Sequence, residues 1–295
     1  MFFICIGLTF ETRIPMNLHT INTGFFKLDG GAMYGVVPKS IWNKLNPADD
    51  NNLCNWAMRC LLIEDGNRLI LIDNGIGDKQ SDKFFSFYHL NGNDTLDQSL
   101  QALGYHRDDI SDVVLSHLHF DHCGGSIAWN KDRTKYQTAF KNAHYWSNET
   151  HWAHALNSNP REKASFLNEN IVPIQESGQL KFIKDHYDLH PEVFMRQVSG
   201  HTEAMMLPQI QYKGKTVVFC ADLIPSLSHL PVNYVMAYDI KPLESMRDRL
   251  LFLDEAVEKE YVLFFEHDPL HECCTVTRNE KGVFVPKDTF PLSAL

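Results

Sequence analysis

The sequence predicts a mixed α/β (α+β) fold in which two β-sheets pack face to face with helices outside. Three observations predict it. Hairpin-like pairs of apolar runs occur in both halves of the chain, residues 56–63 with 68–72 and residues 205–211 with 216–221, and each half continues into a helix. Four apolar runs end next to a metal-ligand residue type: 112–115 before His117, 192–198 before His201, 216–221 before Asp222, and 261–265 before His267. No linker or low-complexity tract divides the 295 residues, so residues 17–295 are expected to form one domain.

Residues 1–16 open with MFFICIGLTF, which is apolar but has no basic start and no small-residue cleavage site, and is too short to span a bilayer. They are expected to be an N-terminal extension ahead of a natural start at Met16, or a first strand. Residues 17–28 read as a strand, with Gly24 a candidate bulge. Residues 56–63 and 68–72 read as a hairpin around Asp65-Gly66-Asn67. Its second arm runs into Asp73-Asn74-Gly75, where Asp73 serves either as a turn former or as the partner that orients a metal-bound histidine.

Thr95-Leu96-Asp97-Gln98 is a capping-box pattern, and Leu96, Leu100 and Leu103 share one face of a helix that Gly104 stops. Residues 126–190 are expected to be a helical insertion packed on the sheet, with short helices over 149–156 and 161–168. The alternative for this stretch is a lid or substrate wall, because it carries His144, His151, His154, His186, His190 and three tryptophans. No ligand spacing singles out His151 or His154. Pro242 opens a helix in which Leu243, Met246, Leu250, Leu253 and Val257 form a core stripe, and residues 282–285 are expected to add an edge strand.

Composition narrows the function. The formal net charge is −10 and no basic run stands out, which argues against nucleic acid and for a small neutral, apolar or cationic substrate. The seven cysteines are irregularly spaced, with no CxxC pair, so they are read as reduced thiols of a cytoplasmic protein rather than a disulfide framework. No later segment is apolar for long enough to cross a membrane, and no membrane partner is expected.

The chemistry concentrates in residues 116–125, SHLHFDHCGG. His117, His119, Asp121 and His122 lie within six positions at a strand end. Side chains two apart point the same way, so His117, His119 and Asp121 can converge on one point while His122 faces a second. A lone histidine is ordinarily a surface or core residue. Three imidazoles and a carboxylate around one strand end have no packing role, and burying them without partners is costly.

His117-x-His119-x-Asp121-His122, followed by Gly200-His201-Thr202, Ala221-Asp222 and His267, resembles the metallo-β-lactamase superfamily, as does Leu71-Ile72-Asp73-Asn74-Gly75. The resemblance runs from Asn17 to about residue 285. It implies a four-layer αββα sandwich with two divalent metal ions at one edge of the sheets. His117, His119 and His201 would hold the first metal, Asp121, His122 and His267 the second, and Asp222 would bridge them. Zinc is the expected metal, with manganese, iron and cobalt as alternatives. The family further implies a metal-bridged hydroxide that attacks an ester or lactone, with Asp121 and Asp222 catalytic. His119 stands where flavodiiron oxidoreductases carry Glu. Asp222 stands where the Cys-ligand zinc β-lactamases depart, and Cys220 reads as core.

HLHFDHCGG and Asp222-Leu223-Ile224 look most like the branch of acyl-homoserine lactonases and methyl-parathion-hydrolase-like phosphotriesterases, which makes phosphotriester turnover an expected side activity. Pro225 departs from the Tyr that such lactonases carry three residues after the bridging Asp to contact the substrate carbonyl. His229, Tyr234 and Tyr238 are the candidates to replace it, and Phe120 is a further substrate-contact candidate. Competing expectations are a thioester hydrolase of the glyoxalase II type, a mononuclear iron persulfide dioxygenase, and a metal-binding scaffold with a vestigial site. Many relatives dimerise, but no stretch of this chain identifies an interface, so the oligomeric state is left open with a homodimer as one candidate.

Overall fold

The computed structural model describes residues 15–184 and 188–295. Residues 1–14 of the expected extension, and His186, lie outside the described residues. The first half of the chain supplies strands β1 (Asn17–Asp29), β2 (Leu53–Asp65), β3 (Arg68–Ile72), β4 (Asp112–Val114), β5 (Ile127–Trp129), β6 (Tyr136–Thr138), β7 (His144–Ser147) and β8 (Leu180–Phe182). The second half supplies β9 (Val193–Val198), β10 (Met205–Tyr212), β11 (Lys215–Phe219), β12 (Val262–Phe264), β13 (Cys273–Arg278) and β14 (Phe284–Phe290). They build two six-stranded sheets, ordered β1-β2-β3-β4-β7-β8 and β14-β13-β12-β11-β10-β9, while β5 and β6 pair as a separate ribbon.

Strand alternation explains the packing. Leu61 and Ile63 of β2, with Ile70 and Ile72 of β3 and Val114 of β4, join a core shared with Met206, Val218 and Phe264 of the second sheet. The intervening Cys60, Leu62, Leu69, Leu71 and Val113 belong to a different core, which includes Leu96 and Leu100, Trp152, and Ile171 and Ile174. These come from the helices Leu96–Ala102, Glu149–Leu156 and Asn168–Glu176. Buried on both faces, β2 and β3 read as continuous apolar runs. Fully burying each Leu or Ile is worth roughly 1.5–3 kcal/mol. The mixed α/β sandwich is thus the arrangement expected from the sequence.

The local turns follow the residues that signalled them. β1 and β2 shift register between Asn22 and Phe25, around Gly24. Asp65 pairs with Arg68, leaving Gly66-Asn67 as a two-residue hairpin loop. Thr95 Oγ1 accepts a hydrogen bond from the Gln98 amide and starts its helix.

Four expectations need correction. Residues 126–190 are not simply a helical insertion: they contain two helices, the β5–β6 ribbon, and strands β7 and β8, which extend the first sheet in parallel. The helix expected over 161–168 is a series of turns, and a helix begins at Asn168 instead. Strand β13, unanticipated, lies between β12 and β14, so the terminal strand pairs with β13.

The buried face of the helix Pro242–Glu258 is also rotated from the expected stripe. Leu243 is 80% exposed, and the buried residues are Ser245, Arg249, Phe252, Leu253 and Ala256. Apolar periodicity misses that face because a charged residue sits at its centre. Arg249 is wholly buried and spends its guanidinium on backbone: it donates to the carbonyls of Leu223, His229, Pro231 and Tyr234. It thereby holds the long segment between Asp222 and the helix. The helix start is placed just as tightly, since a Cβ on Gly200 would fall 2.2 Å from Ser245 Oγ.

Removing the Arg249 donors should be costly. Arg249→Met keeps length but strips four carbonyls of their donor, two buried and two part-buried, and an expected loss of about 3–5 kcal/mol follows from the buried polar groups left unsatisfied. Urea unfolding checks this; a change under about 1 kcal/mol would mean that the segment is held by other contacts.

Candidate metal centre and substrate pocket

β3 and β4 run parallel in one sheet, β9, β11 and β12 run the same way in the other, and the residues that follow these strands meet at one edge of the sandwich. Residues just beyond carboxyl strand ends face a common crevice. There His117, His119, His201 and Asp222 bring one ligand atom each within 4.8 Å of one another, and Asp121, His122 and His267 form a second such group. All seven are buried.

The ring atoms that face each other are specific. His119 Nδ1 lies 3.1 Å from His117 Nε2 and 3.1 Å from His201 Nε2. His267 Nε2 lies 3.3 Å from His122 Nε2, and Asp121 Oδ2 is 3.8 Å from each of these two nitrogens. The Asp222 carboxylate spans both groups: Oδ2 is 3.1 Å from His201 Nε2 and 3.6 Å from His122 Nε2, and Oδ1 is 3.2 Å from His267 Nε2. Five imidazoles and two carboxylates converging in this way cannot all satisfy one another by hydrogen bonds. Their nitrogen and oxygen donors suit divalent transition ions, so the residues fit the expected metals.

The opposite ring nitrogens are tied down. Asp73, at the end of β3 with φ +57°, accepts from the Ser116 amide at 2.7 Å and from His122 Nδ1 at 3.0 Å. It sits in the turn after β3 and hydrogen-bonds a ring nitrogen of His122, the geometry that each of the two roles left open above requires. Glu266 Oε2 lies 2.9 Å from the same His122 Nδ1. His201 Nδ1 donates to Asp239 at 2.9 Å, His267 Nδ1 to the Ala57 carbonyl at 2.7 Å, and His117 Nδ1 to Ser116 Oγ at 3.1 Å. Such outer partners fix imidazole tautomer and direction. Ala221, just before Asp222, also adopts a left-handed conformation with φ +41°, a strained geometry typical of functional sites.

Neither Asp239 nor Glu266 was anticipated. Asp239 lies 38 positions from His201 in an irregular segment, where no periodicity marks it. Glu266 had one signal, its place beside His267 at a strand end. Conversely, His151 is no ligand candidate. It is buried, its Nε2 accepts from the Leu118 amide at 2.9 Å and its Nδ1 donates to the Glu203 carbonyl at 2.6 Å, so it clamps the loop of His117 to that of His201. Burial pushes its pKa down to about 4, which keeps the acceptor nitrogen available.

A cavity of about 350 Å³ opens over Asp121, Asp222 and His267. Leu28, Met33, Phe120 and Met236 make it apolar, and Tyr88 and Tyr238 add hydroxyls. Phe120 is held there by Tyr88, with ring centroids 4.6 Å apart. Burial and the nearby Asp121 push the Tyr88 phenol up to about 12, and burial, Asp29 and Asp121 push Tyr238 up as well, so both remain hydrogen-bond donors at neutral pH. Tyr88 was missed because it lies in the region after the 82–86 helix, far from every motif.

Of the three candidates to replace the missing Tyr, only Tyr238 lines this cavity. His229 is wholly buried behind it, stacked on Tyr34 at 4.7 Å, with Nε2 on the Met33 carbonyl and Nδ1 on Ser226 Oγ. Burial, then the nearby Arg249, pushes it down to about 3. Tyr234, partly buried, packs against the cluster that includes Phe26 and Trp56. Both are corrections: packing claimed side chains that chain proximity to Asp222 left open. Cys220 is core, as expected, and all six described cysteines are buried and free of disulfides. Among the described residues, no helix is long and apolar enough to cross a membrane.

Proton competition sets the pH dependence. Burial alone would lower His201 and His267, but Asp222, together with Asp239 for His201, outweighs it and holds them at about 10 and about 9. A cation that takes Nε2 must displace these protons, so binding should weaken as pH falls and level off above about 10. Chelator competition with Zn²⁺ between pH 6 and pH 9 should show affinity rising with pH, and an indicator dye should report proton release on loading at pH 7. Affinity that stayed flat across this range would contradict the assignment.

Residues 59–267 match the family model of the metallo-beta-lactamase superfamily. The chain is similar to an N-acyl homoserine lactonase of Bacillus thuringiensis, 26% identical over 250 residues that cover 78% of this chain and 87% of that protein. An N-acyl homoserine lactonase of Bacillus cereus is 25% identical over 233 residues, 74% of this chain and 83% of the other. Among solved structures, a probable metal-dependent hydrolase from Staphylococcus aureus aligns with a TM-score of 0.81 at 26% identity, covering 94% of this chain and 98% of that one. A dizinc quorum-quenching lactonase aligns with a TM-score of 0.76 at 21% identity, over 95% and 98% of the two chains, a likeness of fold. The family match spans both ligand groups and the strands that carry them: the chain belongs to the metallo-β-lactamase superfamily and is a metal-dependent hydrolase.

Proposed function

We propose that the protein is a dinuclear hydrolase of small neutral esters or lactones, with acyl-homoserine lactones as the first class to try. The observation that carries this reading is the Asp222 carboxylate, within 3.1–3.6 Å of histidine nitrogens from both ligand groups, at the base of an apolar pocket. His117, His119 and His201 would hold one ion, Asp121, His122 and His267 the other, and Asp222 both. When bound, two divalent ions make hydroxide available at neutral pH and polarise a carbonyl oxygen.

The chain's own residues do the rest. Leu28, Met33, Phe120 and Met236 form a wall that takes an acyl chain and keeps bulk water out. The Asp121 carboxylate, buried at the pocket floor, accepts the proton released when the nucleophile attacks and returns it to the leaving alkoxide. Tyr238, the candidate hydroxyl found in the pocket, donates to the substrate carbonyl in place of the Tyr that Pro225 supplants. Named lactonases aligned over most of the chain support the substrate class. Phosphotriester turnover is a proposed side activity, because a phosphorus centre is an electrophile that the same nucleophile could attack, with an alkoxide or aryloxide leaving.

The glyoxalase II reading gains no specific support from the described site. The iron dioxygenase and scaffold readings likewise gain no specific support, since the described site offers two ligand groups and a pocket.

Proton release from short-chain and long-chain acyl-homoserine lactones by the zinc-loaded protein tests the proposal. Asp222→Asn should lower kcat at least 100-fold and reduce bound metal. Tyr238→Phe should lower kcat/KM about 10- to 100-fold with metal content unchanged, the loss expected for one hydrogen bond to developing charge. Full metal loading with no turnover of lactones, aryl esters or phosphotriesters would refute the ester and lactone reading.

A further inference from the structure

Four of the five histidines at the metal centre have an outer partner for the ring nitrogen that points away from the ligand groups. His119 is the exception. It turns Nδ1 toward His117 and His201, and its buried Nε2 has no hydrogen-bond partner. A neutral imidazole that offers Nδ1 as a lone pair must carry its proton on Nε2. That N–H points toward Glu162: Oε1 lies 3.9 Å from His119 Nε2, is itself buried, and likewise has no partner.

Glu162 is well placed to close this gap. It is only 3% exposed and lines the substrate cavity. Its other oxygen is already anchored, accepting from His154 Nε2 at 2.8 Å and Asn159 Nδ2 at 2.6 Å. The same loop is docked beside His119, since the Phe120 amide donates to the Ser165 carbonyl at 3.0 Å. A small torsional adjustment of Glu162 brings two lone buried polar atoms into one hydrogen bond. His154 thereby gains a role too: it braces the carboxylate.

We propose that Glu162 is a positioning residue for the metal centre, accepting the Nε2–H of His119 and so fixing the tautomer and ring direction that present Nδ1 to the metal. This rests on the dinuclear reading above. Outer carboxylate partners of this kind typically change metal affinity 10- to 100-fold when removed.

The test uses the full-length protein with Zn²⁺ and Co²⁺ as probes. Glu162→Ala should weaken binding of the more sensitive ion by about 10- to 100-fold in chelator competition and shift the visible Co²⁺ absorption. Glu162→Gln keeps the shape but replaces the charged acceptor with a neutral amide, and should show a smaller weakening with a spectral shift in the same direction. A role confined to bracing the 157–167 loop would lower the melting temperature of the variants without moving the Co²⁺ spectrum. Wild-type affinity together with a wild-type Co²⁺ spectrum in Glu162→Gln would overturn the proposal, even if Glu162→Ala failed to fold. If the wild-type protein bound neither ion, the dinuclear reading itself would fall, a result distinct from loss in the variants alone.

Discussion

A buried imidazole must have a use for both of its nitrogens, and this requirement organises one whole edge of the molecule. Five histidines with little or no solvent contact turn one nitrogen toward a common centre, so each needs a fixed acceptor on its far side. The acceptors come from widely separated places: Asp73 from the end of β3, the Ala57 carbonyl from β2, Asp239 from the segment before the 242–258 helix, and Ser116 from the end of β4. Asp73, Ala57 and Asp239 each tie a ligand loop to another element, and Ser116, next to His117, passes its link on to Asp73 by donating to that carboxylate. The centre is therefore a junction where both sheets must be correctly packed before it can exist.

That junction depends on the backbone segment that follows Asp222. This segment reaches from β11 to the 242–258 helix and supplies Asp239 for His201 as well as Met236 and Tyr238 for the pocket. It has little regular structure of its own. Its carbonyls converge on Arg249, a buried cation that trades one costly desolvation for several charge-assisted hydrogen bonds. Gly200 then lets the helix start approach the His201 loop more closely than any side chain would allow. A polar anchor in the core thus positions both a wall of the substrate cavity and a partner of the metal centre.

The cavity combines this wall with one from the middle of the chain. Glu162 and Ser165 belong to turns that face Met236 and Tyr238 across the opening, and Arg161 donates to the Ala237 carbonyl to join the two. The middle section is therefore more than the helical insertion expected for it. Its strands β7 and β8 extend the first sheet, while its 157–167 turns wall the pocket. Packing and function divide along the segment rather than competing for it.

The sequence by itself determined the strands that carry the ligands, the hairpin at Gly66, the Gly24 bulge, and the cluster of His117, His119, Asp121 and His122, although side-chain alternation put Asp121 with His117 and His119, where the fold groups it with His122 and His267. Those features are encoded locally, by apolar alternation, by turn residues, and by a density of His and Asp that packing cannot explain. The interior location of Arg249, the rotated face of its helix, the outer partners Asp239 and Glu266, and the separation of Tyr238 from His229 and Tyr234 were decided by tertiary structure alone. In each case a polar side chain acts through a partner tens of residues away, and no one-dimensional pattern records which distant carbonyl or nitrogen it will meet. The choice is made only when two sheets and their loops close around a common buried centre and every polar group inside must find a partner.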